Sequence, residues 1–413
     1  MGRGKTFLPD RNGLLSMSGG GEGDSGSIGK SVAIIGSPDL EFYGGTQVDV
    51  IYSARILLRM GHRVTIFGSG TYFDRRNVKL EDGIKYIRNA FPFSPFSRKS
   101  ILRITGGVVE PLLGALSSRR IFSIVGGYDA YYFTAPKFIF SAVARRLEGK
   151  KSVLLTNYGT YVEFLSSRRV FAATSLVNLF DSIFLKYADR RKTFIHVLNR
   201  FQMEHYLKRG FSAEMIFLIP QCDVDFSKYI TKDNDSFRVL FLNRLSKDKG
   251  AHLIPEIARI CGDVEFVVVG DGPLMEKMKS NAPANMKMKG FLPEEEKVRE
   301  VEGCDVIINL SNYESLSISS IEGLAAGLIV ISKEETSGLK FIGGSVEGSV
   351  LFAGGSVEGV CNLIHRLKGE KESGRGNFAE RKRAIRERAM EVFDVAVIDR
   401  KMEDMFRKAF GGK

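Results

Sequence analysis

The stretch 311–331 constrains this chain more than any other. Residues 305–310 form an apolar run rich in β-branched side chains and read as a buried strand. Residues 315–326 then read as a short helix. Leu316, Ile318, Ile321, Leu324 and Ala325 give it a mostly buried face, and Ser315 or Ser317 stands where a first-turn cap belongs. Gly327 falls at the left-handed position that ends a helix, and 328–331 resumes as a strand. Strand, loop, helix and strand make the repeating unit of an open parallel sheet, so the predicted class is α/β.

Two acids belong to this unit. Glu314 lies in the loop at the carboxyl end of the strand, and Glu322 lies inside the helix beside Ile321 and close to Leu324. A carboxylate among apolar neighbours needs a partner that offsets its desolvation, and a ligand with hydroxyl groups serves. The free N–H groups of the helix start face the same crevice and favour an anion, most commonly phosphate. A surface acid followed by a solvated helix acid is the plain alternative. Two acids set around one helix start favour a ligand site.

At 413 residues the chain predicts two domains, and its 44% hydrophobic content suffices for two cores. A net charge of +12 points to an anionic partner: nucleotide, phospholipid surface or nucleic acid. Cys222, Cys261, Cys304 and Cys361 lack metal-ligand spacing and sit mostly in apolar surroundings, as buried reduced thiols of a cytoplasmic protein do. No apolar run reads as a transmembrane helix.

Residues 1–30 read as a flexible leader rich in Gly and Ser, with Met17 as an alternative start. Its end, Gly29-Lys30-Ser31, imitates a phosphate-binding loop but lacks the first glycine and a preceding strand. A first domain is expected over 31–220. It opens with a strand at 31–36, Gly44 and Gly45 at the turn, a helix over 48–60 and a strand over 63–67. The paired glycines allow a ligand to approach the backbone closely. The stretch 91–151 is basic and aromatic: Phe91, Phe93, Phe96, Arg98, Lys99 and Arg103 lead it. A membrane-surface patch has this composition, and so does a core helix pair with solvated arginines. A strand over 152–156 leads to Asn157-Tyr158-Gly159.

Residues 221–236 read as a linker. Asp223 and Asp225 have the spacing of a metal-binding pair, but a hinge far from the nucleotide argues against a metal, and none is predicted. The second domain, 237–370, starts with a strand. Arg244 and Lys249 follow in a loop, where a guanidinium fork and an ammonium can meet a diphosphate. Gly270 and Gly272 form a glycine loop after the next strand, with Pro273 starting a helix. Residues 371–413 are a charged segment and a terminal helix over 389–410.

Glu314, seven residues, Glu322 and then Gly-Leu-Ala-Ala-Gly resemble the signature of glycosyltransferase family 4, and Arg244 with Lys249-Gly250 resembles a second motif of that family. The resemblance spans about 31–410. It implies the GT-B fold: two Rossmann-like domains facing a cleft, with the C-terminal helix packing back on the first. It implies retaining transfer from a nucleotide diphosphate sugar, with no cofactor. Glu314 then lies by the donor sugar and Glu322 by the ribose. Arg244 and Lys249 meet the diphosphate. Gly44, Gly45, Gly270 and Gly272 border the donor, as do Leu316, Ser317 and Ile318 at the helix start, and Phe291 and Leu292 lie against the base. This chain has Ser317 where the family has Gly, beside the expected sugar, and Tyr158 where the family has His, which by the resemblance would lie on the acceptor side. The expected partners are a nucleotide sugar and an acceptor glycan or lipid-linked acceptor. The expected place is the cytoplasm, with reversible contact to the inner membrane face. A sugar-nucleotide epimerase of the same fold would share the nucleotide contacts. A basic nucleic-acid-binding module rests on charge alone and lacks a recognition element.

Overall fold

A computed structural model describes residues 29–38, 45–69, 77–79, 83–87, 118–134, 152–156, 193–374 and 377–411. They form two sheets. The first holds β1 (Ser31–Pro38), β2 (Arg63–Ser69), β3 (Asn77–Lys79), β4 (Ile84–Ile87), β5 (Ala130–Phe133), β6 (Ser152–Thr156), β7 (Thr193–Val197) and β8 (Ile216–Leu218). Their order is β3-β4-β2-β1-β5-β6-β7-β8, and only β3 runs antiparallel to its neighbour. Helices α1 (Gly45–Arg59), α2 (Ser118–Val125) and α3 (Arg200–Leu207) connect strands of this sheet. The sequence reading did not anticipate β3 and β4. They are short, and β4 shows only one alternation, with Ile84 and Tyr86 inward and Lys85 outward.

The second sheet holds β9 (Arg238–Leu242), β10 (Glu265–Val269), β11 (Met286–Gly290), β12 (Val306–Asn309), β13 (Ile329–Ser332) and β14 (Val350–Phe352) in the order β11-β10-β9-β12-β13-β14, all parallel. Its helices are α4 (Ile254–Ile260), α5 (Met275–Ser280), α6 (Glu294–Glu302), α7 (Ile318–Ala325), α8 (Ser337–Ser345) and α9 (Val357–Glu372). Helices sheath a parallel sheet on both faces, so its central strands are largely apolar: every residue of β12 and β13 is buried, whereas the edge strand β11 exposes Lys287 and Lys289. The chain order reverses between β9 and β12, the topological switch point where such sheets open a crevice. Only two residue pairs join these strands, Val306 with Val239 and Ile307 with Leu240.

Two helices close the chain, α10 (Phe378–Phe393) and α11 (Val395–Phe410). The single helix expected over 389–410 is therefore broken. Asp394 takes an extended backbone, and its carboxylate accepts from Ala396 N–H to cap α11. Its second oxygen accepts from Phe226 N–H, and Val395 N–H donates to Val224 O. The break thus sits on the linker, and α11 crosses back to the first sheet as expected. Phe406 meets Tyr132 edge-on with centroids 5.6 Å apart, and the Tyr52 hydroxyl and Arg59 guanidinium both donate to Asp399. All four cysteines are buried and free. Among the described residues no helix is long and apolar enough to cross a membrane.

His196 on β7 is fully buried and structural. Ile219 O can only accept, so Nε2 carries the proton at 3.0 Å, and Nδ1 accepts from the Tyr132 hydroxyl at 3.1 Å. Burial pushes the imidazole down to about 4, against a smaller opposing effect of the Ile219 bond. The unfolded chain takes up this proton near pH 6.5, and the folded chain refuses it until about pH 4. Stability is therefore lost as pH falls through that window, by about 2 to 3 kcal/mol. Urea unfolding at pH 7.5 and 4.5 measures this. His196→Gln should show a shallower loss, and equal losses in both proteins would refute the assignment.

Candidate active site

The site forms where β9 and β12 part. After β9 the chain turns through Asn243 to Gly250, and glycine is required at the end of that turn. Gly250 has a φ of +71°, and a β-carbon there would come within 2.3 Å of Leu310 O. This close approach lays the loop against the end of β12. It sets Lys249 Nζ 2.7 Å from Glu314 Oε1, with the two side chains 24% and 9% exposed. The Ser311 hydroxyl donates to the same carboxylate oxygen at 2.8 Å.

A buried polar lattice supports this loop from below. Asn309 Oδ1 accepts from Ser311 N–H at 3.0 Å, and Asn309 Nδ2 donates to Ser317 Oγ at 2.9 Å. Ser317 in turn caps α7, its hydroxyl accepting from Ser320 N–H at 3.3 Å. Of the two serines that sequence offered as caps, the structure uses Ser317, and α7 starts at Ile318 rather than 315. Ser317 is 2% exposed with its hydroxyl held by Asn309 and Ser320. The side chain that replaces the family's glycine is thus anchored in the protein. The Ile318 and Ser319 amides, in the first helical turn, precede any intrahelical acceptor.

Glu322 projects from α7 toward α6. Its carboxylate accepts from Lys297 Nζ, which also meets Glu294 at 2.8 Å, and from the Tyr229 hydroxyl. Burial pushes the Glu322 carboxyl up, and Lys297 opposes that push. Burial also works against the Lys297 charge, yet Glu322 and then Glu294 hold its ammonium well above the usual lysine range. Sequence reasoning missed Lys297 and Tyr229: the first sits in an ordinary charged helix face, and the second lies within the linker.

The remaining predicted residues fall around this centre. Arg244 is 64% exposed and donates to Asp248 at 3.2 Å, in the same loop as Lys249. A β-carbon on Gly270, whose φ is +135°, would reach within 2.0 Å of Asn243 O, and one on Gly272 within 2.6 Å of Leu245 O. These glycines let their loop press against the Arg244 loop, and Leu245 N–H donates to Asp271 O across the seam. Pro273 does not start the helix; α5 begins at Met275. Phe291 is 71% exposed beyond β11, with Leu292 half-buried beside it. Leu316 and Ile318 are half-buried at the helix start. Gly45 begins α1, whereas Gly44 and Tyr158 lie outside the described residues.

The linker is not remote from this centre, contrary to the sequence reading. The Asp223 charge acts on both Glu322 and Tyr229. Asp225 is committed to capping, accepting from Ser227 N–H at 3.0 Å. No group of three or more His, Cys, Asp or Glu side chains suited to a metal occurs among the described residues.

Residues 225–385 match the family model described as glycosyl transferases group 1. This part of the chain therefore resembles a group 1 glycosyltransferase domain. Its matched span takes in both carboxylates and both cations of the crevice. A phosphatidylinositol N-acetylglucosaminyltransferase subunit of Arabidopsis thaliana is 24% identical over 310 residues, covering 70% of this chain and 64% of that protein. The chain thus matches somewhat less than two thirds of that relative's length. Two solved structures share the fold. Sucrose-phosphate synthase from Thermosynechococcus elongatus superposes with a TM-score of 0.69 at 19% identity, covering 93% of this chain and all of that one. Anabaena HepE in complex with UDP does so with a TM-score of 0.61 at 15% identity, over 92% of this chain and 100% of that chain. The chain has the two-domain GT-B fold expected from its motifs.

One prediction separates the two acids. Glu322→Gln should weaken binding of the free nucleoside diphosphate, since it uncouples the carboxylate from Lys297, while Glu314→Gln should mainly lower turnover. Calorimetric titration of nucleoside diphosphates into each variant checks this. Loss of that binding by Glu314→Gln alone would exchange the roles.

Proposed function

We propose that this glycosyltransferase moves a hexose, N-acetylglucosamine foremost, from its UDP conjugate to an inositol phospholipid or similar lipid-linked acceptor, with retention at the anomeric carbon. The Lys249–Glu314 pair at the switch point carries this reading. An ammonium held at the crevice by a carboxylate is placed to exchange that partner for a diphosphate. Arg244, with an exposed guanidinium in the same loop, adds a mobile fork. The N-terminus of α7 supplies dipole and amides for the same anion. Glu314, released from Lys249, accepts from a donor-sugar hydroxyl, and Glu322 from the ribose.

The step balances without a separate base. The bond from the anomeric carbon to the leaving phosphate oxygen breaks as the bond to the acceptor oxygen forms on the same face. The acceptor's proton passes to the leaving phosphate oxygen. Catalysis then rests on stabilising the departing diphosphate, which needs fixed cations rather than a metal or cofactor. HepE, named in complex with UDP, supports the donor class, and the Arabidopsis relative's name supports the sugar and the lipid.

The lipid acceptor requires a surface for the membrane, and the stretch 91–151 is its candidate. Most of it lies outside the described residues. In the described part, Phe122, Ile124 and Val125 of α2 pack into the core, so the core reading holds for them. Each Lys or Arg near an anionic surface contributes about 1 kcal/mol, so Arg98, Lys99 and Arg103 suffice for reversible, salt-sensitive contact at the cytoplasmic face.

The test is incubation with UDP-N-acetylglucosamine and vesicles containing phosphatidylinositol, with and without EDTA. The expected products are UDP and a glycolipid whose new linkage keeps the donor's configuration, formed equally with EDTA. The protein should sediment with anionic but not neutral vesicles, and less so after Arg98, Lys99 and Arg103 are changed to Gln. Formation of a 2-epimer without glycolipid would make the protein an epimerase instead.

A further inference from the structure

Asn199 belongs to the first domain, yet it touches the loop that carries Glu314. It is fully buried and stands just before α3. Its side-chain oxygen accepts from Gln202 N–H at 3.0 Å and caps that helix. Its side-chain nitrogen crosses to the second domain and donates to Ser315 O at 2.8 Å, with Ser337 Oγ at 3.4 Å. One amide thus serves two domains, each through a different atom.

The second domain holds the same loop from its other side. Gly338 N–H donates to Glu314 O at 2.9 Å, and the Ser337 hydroxyl donates to that oxygen at 3.3 Å. Glycine is needed at 338, because a β-carbon there would come within 2.7 Å of the Ser315 backbone. The two carbonyls that flank the Ser315 α-carbon are therefore both tied. The Glu314 carbonyl is held by the start of α8, and the Ser315 carbonyl by Asn199 across the cleft. Opening the cleft breaks only the second tie. The carboxylate of Glu314 is one residue away.

We propose that Asn199 is a positioning residue: a cross-cleft latch that couples closure of the two domains to the placement of Glu314. This rests on the donor-site reading of Glu314. The charged nucleotide contacts proposed above, Arg244, Lys249 and Glu322, lie on the second domain, so the latch acts on transfer and not on nucleotide binding. Its chemistry is also asymmetric. The oxygen that caps α3 can be kept while the nitrogen that bridges is removed.

Two variants exploit this. Asn199→Ser keeps a good helix cap but is too short to reach Ser315. Asn199→Asp keeps shape and cap but turns a carboxylate toward the Ser315 carbonyl. Asn199→Ser should unfold close to the wild-type temperature, and Asn199→Asp below it, because a buried carboxylate then faces a carbonyl. Small-angle scattering of the donor-free proteins should give a larger radius of gyration than wild type, since the cleft opens. With UDP-N-acetylglucosamine as donor, kcat should fall about tenfold to a hundredfold, in line with the cost of a small misplacement at a reacting centre. UDP affinity should stay within about twofold. A merely structural cap is kept by Ser and Asp alike, and would leave both scattering and kcat of Asn199→Ser at their wild-type values. Wild-type scattering and wild-type kcat in Asn199→Ser would overturn the latch. Failure of the wild-type protein to bind UDP would instead remove the donor-site reading, while the scattering comparison still decides the latch.

Discussion

Lys249→Ala should lower turnover by roughly a hundredfold to a thousandfold, about 3 to 4 kcal/mol of transition-state stabilisation. The ammonium is the half-buried cation at the end of β9, held 2.7 Å from Glu314. Charge that develops on a departing diphosphate in so confined a place is poorly served by water. Arg244→Ala should cost less, because its guanidinium is 64% exposed and reaches the site only by swinging away from Asp248. Ser311 still donates to Glu314 in the Lys249 variant, so the loop keeps a support and the fold should survive. Initial rates with UDP-N-acetylglucosamine, taken beside the far-ultraviolet spectrum of each variant, decide the matter. Wild-type turnover from a folded Lys249→Ala protein would remove Lys249 from the diphosphate site.

The second large effect concerns stability. Lys382 on α10 is 1% exposed, and its ammonium makes three bonds: to Asp305 Oδ1 at 3.0 Å, Lys232 O at 2.8 Å and Cys304 O at 3.2 Å. Asp305 is fully buried at the head of β12, where its other oxygen takes Lys371 Nζ at 2.9 Å and Arg238 N–H at 3.2 Å. Every polar group of this cluster is used. Removing one member strands the rest in a place water does not reach. Lys382→Met should therefore cost about 3 to 5 kcal/mol. The loss is a large fraction of what a domain has to spare. It should appear as a shifted urea midpoint. The companion Lys382→Met, Lys371→Met, Asp305→Leu protein should recover part of it, because all three charges of the cluster are then removed together. A loss below about 1 kcal/mol in the single variant would show that the cluster is not a structural fastening for α10.

The two effects bear on different parts of one architecture. Lys249 acts at the carboxyl edge of the second sheet, where β9 and β12 part. Lys382 acts at the opposite end of β12, where the chain enters the strand. The same strand thus presents a reactive end and an anchored end. The anchor matters for function as well, since α10 leads into α11, which crosses to the first domain and helps to set the cleft.

The amino-acid sequence by itself determined the unit around Glu314 and Glu322. Its periods, glycine stop and capping serines are properties of neighbours in the chain, and those act before any tertiary contact exists. The order of the motifs, Arg244 and Lys249 ahead of Glu314 and Glu322, was legible for the same reason. The tertiary structure decided which of these groups meet. Lys249 and Glu314 are 65 positions apart, and only the reversal of strand order at β9 and β12 joins them. Lys297 as partner of Glu322, Asn199 as partner of Ser315 and Asp305 as partner of Lys382 left no local mark, because each pair spans elements brought together only by packing within the second domain or across the cleft. The glycines at 250, 270 and 272 were legible as special positions, but the reason for them, a neighbouring loop pressed to within contact of the backbone, belongs to packing. Asp394 carried a capping residue's identity in sequence. Its choice to break a helix was made by the linker, whose Phe226 amide and Val224 carbonyl offer the bonds that a continuous helix would forgo.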